Sequence, residues 1–159
     1  MTLVAKMSAG LLLYRMNERG IEVFLIHPGG PIWAAKDLGA WSIPKGEPDA
    51  DEEWLKAAIR EFEEETGIEA ATGPFVQLAP ITQKGGKQVF AWACEGDCDA
   101  TTIKSNLFSM EWPPRSGRQR EFPEADRAGW FPLEEARRKI NPAQVGLLDQ
   151  LEGKIEAKG

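Results

Sequence analysis

The chain of 159 residues has one histidine, two cysteines and one tyrosine. So few soft ligands exclude a structural zinc site built from Cys and His. A domain of this length buries roughly two thirds of its unfolded surface and needs no covalent staple. Cys94 and Cys98 are therefore expected to be a reduced pair. Long apolar runs are missing too. The longest aliphatic run, Leu11-Leu12-Leu13, falls far short of the roughly 20 residues that span a bilayer. The first residues show no basic start followed by an apolar stretch and a small-residue cleavage site, so a cytoplasmic protein without a membrane partner is expected. Positive charge is in deficit, with 19 Lys and Arg against 25 Asp and Glu and a net charge of −6. That balance argues against gripping a polynucleotide through its phosphates. No repeat, low-complexity tract or linker divides the chain, and 1–159 reads as a single domain.

What is present is a pattern of paired strands and interspersed helices. Residues 3–15 and 21–27 are apolar segments around Asn17-Glu18-Arg19-Gly20, which predicts a hairpin. A loop punctuated by Pro28-Gly29-Gly30-Pro31 runs to Ala40, and 41–43 predicts a short strand stopped by Pro44. Residues 51–66 carry a helical pattern closed by Gly67. Residues 75–82 and 87–94 flank Gly85-Gly86, a second hairpin signal. Strands near 102–109 and 128–131 follow, then a short helix opening at Pro132 and a last one over 142–153. The sum predicts an α/β layered domain.

The informative segment is DEEWLKAAIREFEEETG, residues 51–67. At about 100° per residue, Glu61, Glu64 and Glu65 share roughly 100° of one helix face. Leu55, Ala58, Ile59 and Phe62 form an adjoining apolar stripe, and Glu63 points away from the trio. Like charges three and four residues apart repel by a few tenths of a kcal/mol per pair. A solvated acidic face is the ordinary explanation of such a helix. A hard divalent cation among the oxygens would reverse the cost, and Mg²⁺ prefers carboxylate, water and phosphate oxygen. The helix C-terminus disfavours anions, which also favours a cation there. Arg60 can hold a carboxylate oxygen by charge-assisted hydrogen bonds, and the turn at Gly46 lets a backbone carbonyl approach the same ion.

The run from Gly46 through Glu52, Arg60, Glu61, Phe62, Glu64, Glu65 and Gly67 to Ile68 resembles a complete Nudix box, G-x5-E-x7-R-E-U-x-E-E-x-G-U with U bulky and apolar. The preceding Trp41-Ser42-Ile43-Pro44-Lys45 is also similar to that family. The resemblance implies an α/β/α sandwich with a mixed sheet, and an Mg²⁺- or Mn²⁺-dependent pyrophosphohydrolase. The substrate would be a nucleoside diphosphate linked to another moiety, of the nucleoside triphosphate or dinucleoside polyphosphate class. It further implies Glu61, Glu64, Glu65 and the Gly46 carbonyl as metal ligands, with Arg60 orienting the carboxylates. Glu52, nearly opposite the trio on the wheel, would support the loop and helix rather than ligate. Glu64 is the first choice of general base, with Glu124 and then Glu121 as downstream alternatives. Gly85 stands where dinucleoside polyphosphate hydrolases of the family carry a tyrosine, and the nearest proline to the ADP-ribose register is Pro80. An ADP-ribose or nucleotide-sugar pyrophosphatase and a non-catalytic nucleotide sensor are the alternatives. Oligomeric state stays open between monomer and homodimer.

Other candidates are less specific. Arg115, Arg118 and Arg120 cluster in one segment, and together with Lys45, and less directly Lys36, could hold substrate phosphates. Trp33, Trp41 and Trp112 could stack on a base, although hairpin or core packing is the commoner use of each. His27 ends a strand and reads as a hydrogen-bonded residue rather than a ligand. Lys84-Gly85-Gly86-Lys87 lacks phosphate-loop spacing and reads as a turn.

Overall fold

The structure is a computed structural model that describes residues 6–69 and 72–158. Residues 3–5 of the first expected strand lie outside the described residues. The strand β1 (Met7–Asn17) turns at Asn17, whose side chain accepts from the Arg19 N–H at 2.9 Å, and β2 (Gly20–Pro28) returns antiparallel. The sheet is completed by β3 (Lys45–Gly46), β4 (Phe75–Gln77), β5 (Ile81–Thr82), β6 (Gln88–Glu95) and, beyond a separate hairpin, β9 (Ala125–Pro132). That hairpin pairs β7 (Leu107–Glu111) with β8 (Gln119–Pro123). Among the described residues the sheet runs β4-β6-β1-β2-β9, with β3 pairing to β1 and β5 to β6. It is mixed, because β1 and β6 are parallel and the other pairs antiparallel.

Ser8 to Leu13 are buried without a break, as expected of a central strand covered on both faces. Ala9, Leu11, Leu13, Phe24 and Ile26 meet Ala57, Ala58 and Phe62 of helix α1 (Trp54–Thr66). On the opposite face Leu12, Val23 and Leu25 meet the helices α2 (Leu133–Lys139) and α3 (Val145–Lys158). The architecture is therefore the expected α/β/α sandwich. No helix among the described residues is long and apolar enough to cross a membrane.

Several boundaries differ from the sequence reading for identifiable reasons. Residues 41–43 make only isolated bridges, Ile26 to Ser42 and Trp41 to Ile140, and the paired segment comes after Pro44 at Lys45–Gly46. The proline cannot donate to a ladder, but its carbonyl accepts from the Leu11 N–H at 3.2 Å. Helix α1 starts at Trp54 rather than near 51, since Asp51 has φ 66° and Glu53 is extended. Gly67 closes it as expected, with φ 71° and its N–H on the Glu63 carbonyl. Residues 100–102 wind into a 3-10 turn capped by Asp99, which delays the next strand to Leu107. Residues 119–123, assigned no element from the sequence, form β8.

The strap from Ile43 to Gly46 lies on β1 because Gly10 has no side chain. A Cβ there would stand 2.8 Å from both the Lys45 Cβ and the Pro44 carbonyl oxygen. Gly10→Ala is therefore expected to destabilise the fold by about 1–3 kcal/mol, the usual scale of overpacking against backbone. Urea denaturation midpoints for the two proteins check it.

Candidate active site

Arg60, on the second turn of α1, organises the acidic face. Its Nε and Nη2 donate to the two Glu52 oxygens at 2.9 and 3.0 Å, and Nη1 donates to Glu61 and Glu64 at 3.0 and 3.1 Å. Nη2 also donates to the Glu47 carbonyl at 3.3 Å. Glu52 accepts in addition from the Asp49 N–H. The Arg60 hydrogen bonds hold the Glu52 carboxyl down at about 2. Glu52 thus braces the loop before α1 against the helix. Glu63 is exposed.

The other carboxylates turn inward. Glu61 is packed on Gly46 so closely that a Cβ there would stand 2.2 Å from the Glu61 carboxyl carbon. Glu65 accepts from the Lys45 N–H at 3.2 Å. Glu124 follows β8 and reaches the same place from across the fold. Its N–H donates to the Asn106 carbonyl at 2.9 Å and its carbonyl accepts from the Gly29 N–H at 3.0 Å. Asn106 in turn donates its N–H to the Glu64 carbonyl, so backbone hydrogen bonds run from the end of α1 to Glu124 and on to Gly29. A cleft of about 170 Å³ is lined by Lys45, Glu65 and Glu124 with Ile26, Pro28, Ser42 and Ile43.

Burial raises the Glu65 carboxyl to about 8, and the charges of Glu61 and Glu124 add to the effect while Lys45 opposes it. Glu61 is also raised, chiefly by burial, with Arg60 opposing and Glu64 and Glu124 contributing. Burial raises Glu124 as well. Lys45 is lowered by burial and by Lys87, against the pull of Glu65 and Glu61. The donor set consists of hard carboxylate oxygens crowded in a partly desolvated cleft, and a divalent cation suits it chemically. Among the described residues, however, no three His, Cys, Asp or Glu side chains already stand in an ion-holding array. Arg60 draws Glu61 and Glu64 toward itself.

The structure separates the remaining candidates. Glu121 pairs with Ser109 on the exposed side of the β7–β8 arm, whereas Glu124 enters the cleft. Arg115 and Arg118 sit in the exposed turn of that arm and Arg120 on β8, and among the described residues none of the three makes an ion pair. Trp112 stands where the arm turns, with its N–H on the Arg118 carbonyl. Trp41 is core, edge-on to Phe131 at 4.9 Å, with its Nε1 donating to Asp37 at 2.8 Å. It is unavailable for stacking on a ligand. Trp33 is exposed on the loop after β2, with the Lys36 ammonium 4.9 Å from its ring centre. His27 is fully buried; Nε2 donates to the Lys36 carbonyl at 2.6 Å and Nδ1 meets Asp126 at 2.8 Å. It fastens the 29–40 loop to β9. Cys94 and Cys98 are free thiols, and Lys84–Lys87 lies in the turn closed by the Gln83 and Lys87 backbones. The second strand of the arm was missed from sequence, whereas Glu124 was read as a candidate and His27 as a hydrogen-bonded residue, with their partners supplied only by the fold. Alternating residues on both sides of Pro113-Pro114 were the available signal for the arm.

A family pattern described as NUDIX domain matches residues 5–151, and the chain belongs to that family. It is 54% identical over 44 residues to the mRNA-decapping protein g5R of African swine fever virus (isolate Warthog/Namibia/Wart80/1980), covering 28% of this chain and 17% of that one. It is 30% identical over 103 residues to the asymmetrical bis(5'-nucleosyl)-tetraphosphatase of Mus musculus, covering 58% of this chain and 66% of the other. The chain thus spans less than two thirds of the length of both relatives. Among solved structures, a C. elegans Ap4A hydrolase in a binary complex superposes with a TM-score of 0.65 at 24% identity, covering 96% of this chain and 99% of that one, a likeness of fold.

The raised Glu65 carboxyl has a consequence for stability. Between the ordinary value of 4.5 and about 8, the folded protein holds a proton that the unfolded chain releases. The folded state binds more protons in that window, so stability falls as pH rises through it. Without added metal, denaturation midpoints are expected to drop between about pH 5.5 and pH 8.5, and Glu65→Gln is expected to flatten that drop. Equal slopes for the two proteins would contradict the assignment.

Proposed function

We propose that this chain is a divalent-metal-dependent hydrolase of phosphoanhydride bonds in a small nucleotide, of the nucleoside triphosphate or dinucleoside polyphosphate class. The observation that carries the reading is that Glu65 and Glu124 share one cleft with Lys45, while Glu61, packed on Gly46, stands close enough for its charge to act on Glu65. Carboxylates brought together where Glu61 and Glu65 are half-buried are costly unless a cation joins them. The two relatives support the substrate class, since one is named for a dinucleoside tetraphosphate and the other for the capped end of mRNA. A net charge of −6 favours a small nucleotide over a polynucleotide.

Glu61, Glu64, Glu65 and the Gly46 carbonyl would hold Mg²⁺ or Mn²⁺. When bound, the ion neutralises phosphate oxygens and lowers the pKa of an attacking water. Arg60 fixes the carboxylates on α1, and Glu52 fixes Arg60. The Lys45 ammonium, in the cleft wall, attracts the anionic phosphates. Glu64 is the general base. Its side chain is 42% exposed against 15% for Glu61, and Arg60 engages its Oε2, which leaves Oε1 to take the proton of the water. Glu124 is the alternative base, on the opposite wall. Arg115, Arg118 and Arg120, exposed on the arm, would hold the distal phosphates.

A substrate panel with Mg²⁺ and Mn²⁺ in ¹⁸O-labelled water, read by mass spectrometry, gives the nucleotide class and the phosphorus attacked. Absence of product across the panel, with metal-dependent nucleotide binding retained, would turn the reading to a sensor. Glu64→Gln is expected to lower kcat about 10²- to 10⁴-fold, the range of general base catalysis, with an unchanged melting temperature. If only Glu124→Gln does so, the base is Glu124. Replacing Arg115, Arg118 and Arg120 together with Ala is expected to raise KM with little change in kcat, measured by steady-state kinetics on the best substrate of the panel.

A further inference from the structure

Ser8, His27, Thr66 and Gln144 are the polar side chains buried in the core among the described residues. Gln144 belongs to none of the arrangements described above. It closes the 3-10 turn Pro142–Gln144, which Asn141 caps by accepting from the Ala143 N–H at 2.9 Å, and α3 starts at the next residue. The layer around it is apolar, with Ile43, Leu147 and Leu148 fully buried. An amide withdrawn from water into such a layer is costly unless its polar atoms are paired.

The pairing runs to the segment that enters the carboxylate cleft. Gln144 Oε1 accepts from the Ile43 N–H at 3.1 Å, and Nε2 donates to Ser42 Oγ and to Gln83 Oε1, both at 2.9 Å. The neighbours dictate which way the amide faces. The Ile43 N–H can only donate, and the Ser42 hydroxyl gives its hydrogen to the Ile43 carbonyl at 2.7 Å, which leaves its oxygen to accept. One side chain therefore ties Ile43 of the strap, and Ser42 just before it, to the turn between β5 and β6. Lys87 follows that turn and stands close enough for its charge to act on Lys45. Like charges on the two segments push them apart, and the glutamine holds them together.

The other strap contacts come from elsewhere. Ser42 pairs with Ile26 through both backbone groups, the Pro44 carbonyl accepts from Leu11, and the Lys45 N–H donates to Glu65. Without Gln144 the fully buried Ile43 N–H has no acceptor, and the strap has to shift to find one. Pro44 is stiff, so a shift at Ile43 passes on to Lys45 and Gly46.

We propose that Gln144 is a positioning residue of the metal site: through Ser42 and Ile43 it sets the strap so that the Gly46 carbonyl and the Lys45 side chain face the carboxylates of α1. The inference rests on the reading above for what the cleft binds.

Backbone amide exchange of the full chain without added metal, together with Mn²⁺ titration followed by electron paramagnetic resonance, tests this on three variants. Gln144→Met fills the space without the hydrogen bonds, Gln144→Glu keeps an acceptor for the Ile43 N–H, and Leu151→Ala opens a cavity in the same layer. In Gln144→Met the Ile43 and Lys45 amides are expected to exchange about tenfold faster relative to those of β6, the worth of one hydrogen bond. Mn²⁺ is expected to bind that variant about 10- to 100-fold more weakly, the usual effect of losing a group that orients a metal ligand. Gln144→Glu is expected to restore slow exchange at Ile43. Leu151→Ala is expected to lower the melting temperature and leave Ile43 exchange and Mn²⁺ affinity as they were. Unchanged exchange at Ile43 and Lys45 in Gln144→Met would overturn the proposal, and an equal loss of Mn²⁺ affinity in Leu151→Ala would reduce the glutamine to packing. Mn²⁺ binding that Gln144→Met leaves intact would sink the proposal and spare the reading of the cleft. No Mn²⁺ binding by the unaltered protein would sink both.

Discussion

Glu61, Glu65 and Glu124 repel one another in a place where water cannot fully screen them, and the surrounding structure is arranged around that repulsion. Burial raises all three carboxyls, and neighbouring carboxylate charge adds to it at Glu61 and Glu65. A protein selected for stability alone would separate such groups or replace them with apolar side chains. Here they are forced together by elements that have other reasons to be where they are. Helix α1 is held to the sheet by Phe62 and its two alanines, β3 is seated on Gly10, and Glu124 is pinned through Asn106 and Gly29. The energy held in the cluster makes it responsive to a cation or to protons.

Arg60 decides how that charge is distributed. One guanidinium serves Glu52, Glu61 and Glu64, and its fork geometry lets two nitrogens close on Glu52 while the third reaches the helix face. A lysine at this position could offer the charge but not the directions. Because Glu52 belongs to the loop and Glu61 and Glu64 to the helix, the same residue also sets the angle at which the loop enters α1. That loop carries Glu47, whose carbonyl takes a further Arg60 bond and which directly follows Gly46.

Around this centre the fold places two kinds of surface side by side. The carboxylate cleft is lined from β2, the strap leading into β3, the end of α1 and the residue after β8. A neighbouring cavity is lined from the loop after β2 and a two-stranded arm that pairs with no other strand among the described residues. The loop is held by His27, which joins the Lys36 carbonyl to Asp126, and the arm is held against it by glycine contacts at Gly29 and Gly30.

The sequence by itself determined the local elements and the chemistry along α1. The 3.6-residue period placed Glu61, Glu64 and Glu65 on one face and Phe62 on the next, and Gly67 marked the helix end, because these are contacts between near neighbours in the chain. The hairpin at Asn17–Gly20 and the turn at Gly85–Gly86 were legible for the same reason. Tertiary structure decided what distance along the chain conceals. Glu124 lies 59 positions after Glu65 yet shares its cleft, while Glu121, three residues earlier, faces away because β8 pairs in a register that turns it outward. Trp41 is buried by α2 and β9 rather than by its own segment. Pairing across the sheet and packing between layers depend on all the elements at once, and no single stretch of sequence contains them.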